Sequence, residues 1–328
     1  MNINKRVKGY IINGIGIVLL YILLVNLING GQIDRYQQGI IIMIGINIIL
    51  AVSLNLTTGF LGQLALGHAG FMGIGAYTAA IATMNMNIQS DTLQLVVSMI
   101  IGGIIAAVFG IIIGVPALRL EGDYLAIITL GFGEMIRVII NNLEITGGAK
   151  GLKGILPLTN FSHVYWVTII TVVLMFSLMR SRHGRSIISV RENEIAANAV
   201  GVPTAFYKIF GFVLSAFFAG IAGGLYAHYM SVLSPSKFGF MYSIEILVIV
   251  VLGGMGSITG SIIAAILLTL LPEALREFST YRLLIYSILL IVMMLFKPSG
   301  LFGTSEFSIH NLIIRKKKMQ SQTRRLKE

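Results

Sequence analysis

Long runs without a single charged residue restrict the fold of this chain more than any other feature. Residues 9–33, 36–90, 92–118, 154–179, 209–236 and 246–272 contain no Asp, Glu, Lys or Arg. Each run exceeds the roughly 20 residues that an α-helix needs to cross about 30 Å of hydrocarbon. Only 11% of the residues are charged, whereas soluble domains average roughly a quarter. The chain is therefore predicted to be an all-α polytopic membrane protein with seven or more crossings.

Gly, Pro and Asn residues divide the apolar stretches into ten predicted helices. These lie near residues 10–28, 38–57, 68–84, 93–115, 124–141, 164–179, 207–230, 243–257, 259–272 and 281–297. Ten crossings put both termini on one side, and 17 of the 24 Lys and Arg residues fall on that side. Because cytoplasmic loops carry the excess of Lys and Arg, both termini are predicted to be cytoplasmic.

The stretch 243–272 leaves nine crossings open as an alternative. It is interrupted by Gly253, Gly254, Gly256 and Gly260, and it could form one long tilted helix. Nine crossings would place the basic C-terminus on the far side, which contradicts the excess of positive charge on cytoplasmic segments. Two short helices or a re-entrant pair are therefore favoured, with one transmembrane domain over residues 1–308 and a basic cytoplasmic tail at 309–328.

Six glycines crowd into the 17 residues of GFLGQLALGHAGFMGIG at positions 59–75. Unwound backbone at membrane depth is tolerated only where it is buried in protein or lines a watery cavity. The segment is thus a candidate translocation path, and the alternative is close packing of helices through small residues. The candidates for the path are Gly59, Gly62, Gly67 and Gly70, with Gly253 and Gly254 in the second cluster.

Three ionisable groups within predicted spans are further candidates for the path. His68 could carry a proton, although a neutral packing histidine is the favoured interpretation. Glu134 and Arg137 lie three residues apart, so they share a helix face and can neutralise each other near mid-membrane. A gating role and a purely structural ion pair are both open for these two residues. Glu245, at the start of a span, is expected to snorkel or cap.

The polar segment from Arg180 to Lys208 is predicted to contain a short amphipathic helix. Its apolar residues fall roughly at helical spacing, and its charges concentrate at Arg191, Glu192 and Glu194. Such a helix would offer another protein a rigid cytoplasmic handle. The alternative is a solvated helix that only connects two spans.

Several function classes are excluded by missing patterns. No Gly is followed by Lys, so the phosphate-cradling P-loop is absent and this chain cannot hydrolyse ATP through one. No paired nucleophile and base appear, so an enzyme is not predicted. No cysteine is present, so a cysteine metal site is not predicted either, and no cofactor is expected. The net charge of +11 comes largely from residues 315–328, which lack interleaved aromatics, so nucleic acid is not expected as a partner. A transporter is the function class that remains.

Seven segments in succession resemble the LivM-type permeases of branched-chain amino acid ATP-binding cassette (ABC) importers, and the match spans nearly the whole chain. They are GQLALGHAGFMGIGAYTAA at 62–80, EGDYLAIITLGFGEMIR at 121–137, RSRHGRSIISVRENEIAANAVGV from 180, AGIAGGLYAHY at 219–229, SIEILVIVVLGGMGSITGS at 243–261, LPEALRE at 271–277 and KPSGLFG at 297–303. Each motif alone is weak, but their collinear order is specific.

The resemblance implies a permease fold in a bacterial cytoplasmic membrane and names the partners. These would be a second homologous permease, two ATP-binding cassette ATPase subunits and an extracytoplasmic solute-binding protein. The segment 180–208 would hold the coupling helix that docks on an ATPase. Glu194, Ala196, Ala197 and Gly201 match its pattern, and Ile195 departs from it. Arg185, Arg191 and Glu192 are further candidates for this coupling site, and Arg185, Arg191 and Glu194 are expected to transmit force from the ATPase.

Branched-chain amino acids are the solutes that the resemblance implies. A permease of the same architecture for urea or short-chain amides is the first alternative. An ion-coupled secondary transporter that uses His68, Glu134 or Glu245 is the second, and a membrane enzyme is the third.

Overall fold

A computed structural model describes residues 3–86, 88–120, 122–275, 281–297, 300, 301 and 303. Twelve α-helices lie in this part of the chain. They are α1 (Ile3–Asn29), α2 (Arg35–Asn55), α3 (His68–Asn85), α4 (Asp91–Ala117), α5 (Asp123–Asn142), α6 (Phe161–Arg180), α7 (Arg182–Glu192), α8 (Glu194–Ala199), α9 (Thr204–Met230), α10 (Phe240–Gly253), α11 (Ile258–Ala274) and α12 (Arg282–Phe296). A short antiparallel pair, β1 (Leu152–Lys153) and β2 (Val232–Leu233), joins two loops.

Each of the ten predicted helices has a counterpart, so the prediction of a mainly helical chain is confirmed. By length and composition alone, four helices within the described ranges could cross a membrane: Arg35–Phe60, Asp91–Ala117, Phe161–Arg180 and Thr204–Met230. Gly14–Asn29, Phe240–Gly253 and Ile258–Ala274 are shorter apolar helices. The number of crossings and the side of each terminus stay predictions, and the predicted tail at 309–328 lies outside the described residues.

The stretch 243–272 is divided between two helices rather than forming one. Helix α10 ends at Gly253, and α11 begins at Ile258 after four residues of turn. Gly254 has φ +112 and Gly256 has φ +90, values that side-chain-bearing residues rarely adopt. Ser257 then caps α11 by accepting a 3.0 Å hydrogen bond from the Gly260 amide. The glycines therefore end one helix, and the serine starts the next.

Helices α3, α4 and α9 pack closely because glycines face one another across their contacts. A Cβ atom on Gly75 would collide with the backbone of Gly220, and one on Gly102 would lie 2.7 Å from the Gly75 carbonyl oxygen. Small residues let helix backbones approach in a medium that offers little hydrophobic drive for association. Helix α2 completes the centre, and its residues from Ile48 to Asn55 are all buried.

The outer helices expose large apolar side chains. Ile104 and Ile112 on α4 and Ile170 and Val173 on α6 are exposed. A soluble monomer rarely shows such broad apolar surfaces, whereas lipid or a protein partner can cover them.

Candidate translocation and coupling site

The first glycine cluster begins with a break in the helix. Helix α2 passes at Asn55 into a π-helical turn, Leu56–Phe60, and residues 61–67 then run without helical structure to the start of α3 at His68. Gly62 has φ +75 within this break. A π-helical turn is uncommon and is often found at functional sites. We call residues 56–67 the first break and residues 254–257 the second break.

The later glycines of the same cluster serve close packing. A Cβ atom on Gly67 would collide with the carbonyl oxygen of Thr129, and one on Gly70 would lie 3.0 Å from the Gly133 Cα atom. The Leu66 amide also donates a 3.0 Å hydrogen bond to Thr129 Oγ1. The cluster therefore contains a break around Gly59 and Gly62 and close contacts with α5 at Gly67 and Gly70, and the translocation path stays a prediction.

Asn55 joins the two breaks. Its side chain is fully buried, and its Nδ2 donates to the Ser257 carbonyl oxygen at 2.9 Å and to Ser261 Oγ at 2.8 Å. Its Oδ1 accepts a 2.9 Å hydrogen bond from the Gly256 amide. A buried amide costs free energy unless it is hydrogen-bonded, and this one uses both of its ends.

The second break also meets the last described residues of the chain. The Leu301 amide donates a 2.8 Å hydrogen bond to the Leu252 carbonyl oxygen at the end of α10. A Cβ atom on Gly300 would lie 2.6 Å from the Gly254 backbone. Gly300 and Leu301 therefore pack against the end of α10 and the second break.

His68 is buried and hydrogen-bonded inside the chain. Its Nε2 lies 3.0 Å from Ser53 Oγ, and the neighbouring Ala69 amide donates a 3.0 Å hydrogen bond to Ser243 Oγ. These contacts fix the start of α3 against α2 and α10. The placement agrees with the packing interpretation of this histidine.

Glu134 and Arg137 form an ion pair that also contacts a second helix. Arg137 Nε lies 2.7 Å from Glu134 Oε2, and the two side chains are 34% and 30% exposed. Glu134 Oε1 accepts a 2.7 Å hydrogen bond from the Phe240 amide, the first residue of α10. A carboxylate at a helix N-terminus is favourable because the free amides there carry partial positive charge. The pair thus joins α5 to α10, and both side chains remain partly exposed on the surface of the chain.

Two short helices, α7 and α8, lie within residues 180–208, which we call the coupling segment. A single helix was predicted there. Ser181 caps α7 through a 3.3 Å hydrogen bond from the Gly184 amide. Asn193 ends α7 with extended backbone, φ −163 and ψ 106, and its Oδ1 caps α8 through a 2.9 Å hydrogen bond from the Ala196 amide. The single-helix prediction is wrong because Asn193 interrupts the chain and starts a second helix.

Helix α7 faces the core of the molecule. Ile187 and Val190 are buried, and Arg191 Nη1 donates a 2.9 Å hydrogen bond to the Gly59 carbonyl oxygen in the first break. The same guanidinium binds Glu192 Oε1, at 2.6 Å from Nη2. Arg185 is exposed on the other side of α7.

Helix α8 faces outward. Ile195 is 84% exposed and Val200 is 80% exposed, whereas Ala197 is buried. Glu194 forms an ion pair with Lys208 at the start of α9, and the Lys208 side chain is only 9% exposed. Gly201, with φ +86, follows the end of α8. A surface depression of about 530 Å³ is lined by Glu194, Ile195, Asn198 and Ala199.

The candidate residues therefore fall into three groups. The first and second breaks meet at Asn55 and Arg191, the Glu134–Arg137 pair lies at the start of α10, and α8 presents its own surface. Among the described residues no three His, Asp or Glu side chains cluster in a way that could hold a metal ion. Sequence reasoning missed Asn55, Asn193 and Lys208, although a polar residue in an apolar run is itself a signal of a buried partner.

A family model described as the permease component of branched-chain amino acid transport systems matches residues 36–297. The chain belongs to this family. It is 37% identical to the high-affinity branched-chain amino acid transport permease LivM of Salmonella typhimurium, over 82% of this chain and 71% of that protein. LivH of the same organism is 26% identical over 79% of this chain and 91% of that protein.

A more distant relative comes from an archaeon. The probable branched-chain amino acid transport permease LivM of Methanocaldococcus jannaschii is 23% identical over 80% of this chain and 92% of that protein. No solved structure matches the chain. The resemblance drawn from the seven motifs is thereby confirmed at the level of the family.

Proposed function

We propose that this chain is the transmembrane permease subunit of an ABC importer that carries leucine, isoleucine and valine across the bacterial cytoplasmic membrane. The observation that carries the proposal is the 37% identity to a LivM permease over 82% of the chain. Family membership supports a transport subunit rather than an enzyme. ATP hydrolysis then belongs to partner subunits, because the sequence has no P-loop.

The ATPase would dock on α8. Exposed apolar side chains beside a surface depression are typical of an interface core, and Ile195 and Val200 provide them here. Glu194 is occupied by Lys208, and Ala197 is buried, so neither would supply the main contact. Arg185, Glu192 and Ala196 would lie at the rim.

The translocation path would follow the open face of α5 beside α10. A charged pair in contact with lipid is costly, so a partly exposed Glu134–Arg137 pair is better placed against protein or a watery cavity. A second homologous permease facing this surface would enclose such a cavity. The Glu134–Arg137 pair lies at the start of α10, and Gly253 and Gly254 lie at the other end of this helix. His68 and Gly70 hold α3 in place next to the proposed path.

A binding protein would deliver the amino acid, and nucleotide-driven closure of the two ATPases would move the coupling segment. That motion would shift the broken helices between inward-open and outward-open arrangements. The glycine-rich breaks support this mechanism because they interrupt α2 and separate α10 from α11 at positions where the backbone can bend.

Uptake of labelled leucine, isoleucine, valine and urea tests the substrate directly. We expect a strain that lacks this gene to lose uptake of the three amino acids and to keep urea uptake, with rescue by the intact gene. Uptake should persist when an uncoupler is added and ATP is maintained. Loss of urea uptake alone would indicate an amide permease, and sensitivity to the uncoupler would indicate a secondary transporter.

A further inference from the structure

The buried Asn55 side chain holds the two breaks together through three hydrogen bonds of 2.8 to 2.9 Å. Its Nδ2 donates to the Ser257 carbonyl oxygen and to Ser261 Oγ, and its Oδ1 accepts from the Gly256 amide. Separating the breaks would remove these partners from the buried Asn55 side chain and from the Gly256 amide, which is expensive in an apolar interior. The first and second breaks are therefore expected to move as one body.

Arg191 is the side chain that connects this body to the coupling segment. Its Nη1 binds the Gly59 carbonyl oxygen, which lies in the last turn before the backbone unwinds, where carbonyl groups lack partners within the helix. A Cβ atom on Gly62 would lie 2.7 Å from Arg191 Cγ, and one on Gly256 would lie 2.9 Å from Nη1. The arginine thus lies against both breaks, in space that glycines leave open.

Neighbouring charge holds the guanidinium in this orientation. Glu192 Oε1 accepts hydrogen bonds from Arg191 Nε at 3.2 Å and from Nη2 at 2.6 Å, so the remaining Nη1 is directed at Gly59. The planar fork of arginine can bind a carboxylate on one edge and a carbonyl group on the other. Glutamine at this position could not make both sets of contacts.

We propose that Arg191 is a positioning residue that transmits motion of α7 to both breaks at once, with Asn55 locking the breaks together. The inference rests on the proposed function, because it requires an ATPase that moves the coupling segment. It separates two tasks within that segment. Helix α8 receives the ATPase, and Arg191 on α7 passes the movement inward without touching the partner.

The test uses the full complex of permeases, ATPases and binding protein, reconstituted in liposomes. Arg191→Gln should still assemble with the ATPases. Stimulation by leucine-loaded binding protein, together with leucine uptake, should fall about tenfold or more, as expected for the loss of a hydrogen bond to a charged group. Arg191→Lys, which keeps the charge but replaces the planar fork by a single ammonium group, should lie between Arg191→Gln and the unaltered chain.

Two further variants separate transmission from folding. Arg182→Gln, an exposed arginine at the start of the same helix, should behave as the unaltered chain. Ser261→Ala removes one of the acceptors of Asn55 and should lower stimulation by about threefold without changing assembly.

Three outcomes would overturn the inference alone, and a fourth would overturn the proposed function as well. If Arg191→Gln failed to bind the ATPases, Arg191 would be a docking contact, and the proposed function would still stand. Normal stimulated turnover in that variant would remove the transmitting role. A lowered unfolding temperature with loss of every activity would assign Arg191 a purely structural role. Failure of the unaltered chain to bind any ATPase would instead overturn the proposed function, and the inference with it.

Discussion

The two short helices of the coupling segment lie next to each other in sequence but face opposite ways. Helix α7 buries Ile187 and Val190 and extends Arg191 into the first break. Helix α8 leaves Ile195 exposed, and the Glu194–Lys208 ion pair attaches it to α9. In one continuous helix Ile195, four residues after Arg191, would lie on the same face as Arg191. The difference supports our proposal that binding a partner and moving the core are tasks of separate helices, joined at Asn193.

The outward surface of α8 gives the largest expected effect. Ile195→Asp places a charge in the centre of the proposed interface, and we expect affinity for the ATPases to fall about 100-fold or more, in the range of interface hot spots. The measurement is co-purification of the ATPases with the tagged permease. Ile145→Asp is the matched control, since Ile145 is also exposed, at 65%, and lies outside the coupling segment. Equal loss in both variants would contradict the assignment.

The ion pair behind α8 gives the next largest effect. Glu194→Ala leaves the nearly buried Lys208 ammonium group unpaired and should destabilise the protein by about 2 kcal/mol, less than a fully buried pair because Glu194 is partly exposed. The measurement is thermal unfolding in detergent. The double variant Glu194→Ala, Lys208→Met removes both charges and should recover most of the loss. No recovery would show that Glu194 stabilises α8 by another contact.

The surface of α7 can be tested through a pair of glycines with matching backbones. Gly62→Ala and Gly31→Ala both force a side chain into positive φ, +75 and +70, which costs about 1 kcal/mol in each case. Only at Gly62 does the new Cβ atom meet Arg191, because nothing lies within 4 Å at Gly31. We expect Gly62→Ala to be the more destabilising of the two because of this contact, and we expect about fivefold lower leucine uptake in Gly62→Ala alone. Equal leucine uptake by the two variants would show that disturbing Arg191 does not affect transport.

The smallest effect is expected at Arg185. This exposed side chain of α7 would meet the ATPase only at the rim, so Arg185→Gln should weaken binding about twofold. The difference should disappear at high salt, because salt screens exposed charges. Titration of ATPase binding at two ionic strengths measures it. A large, salt-independent loss would place Arg185 in the interface core and move part of the docking surface to α7.

The sequence supports prediction of the helices better than prediction of their contacts. Charge-free runs indicate the membrane-spanning stretches because a charge inside the bilayer is costly, Gly, Pro and Asn residues divide the apolar stretches into ten helices, and glycine density locates both breaks. The meeting of the breaks could not be predicted, since Asn55 binds the Gly256 amide across 201 positions of chain. An asparagine in an apolar helix indicates a buried partner without identifying it.

The coupling segment shows a second limit. Asn193 followed by Glu194 is a helix-start signal, and it could have indicated the division into α7 and α8. Ile195 departs from the family pattern in the sequence, yet it is the most exposed large apolar residue described. Whether an apolar residue faces the core or a partner depends on the neighbouring helices, which a short periodic pattern does not specify.

Cross-linking from α8 tests the division of tasks most directly, because the chain contains no cysteine of its own. Ile195→Cys would be treated with a short thiol-to-amine reagent in the assembled importer, with Ile145→Cys as the control. We expect Ile195→Cys to cross-link to an ATPase subunit and Ile145→Cys to give no such product. An assembled, active importer in which Ile195→Cys never reaches an ATPase would contradict α8 as the docking helix.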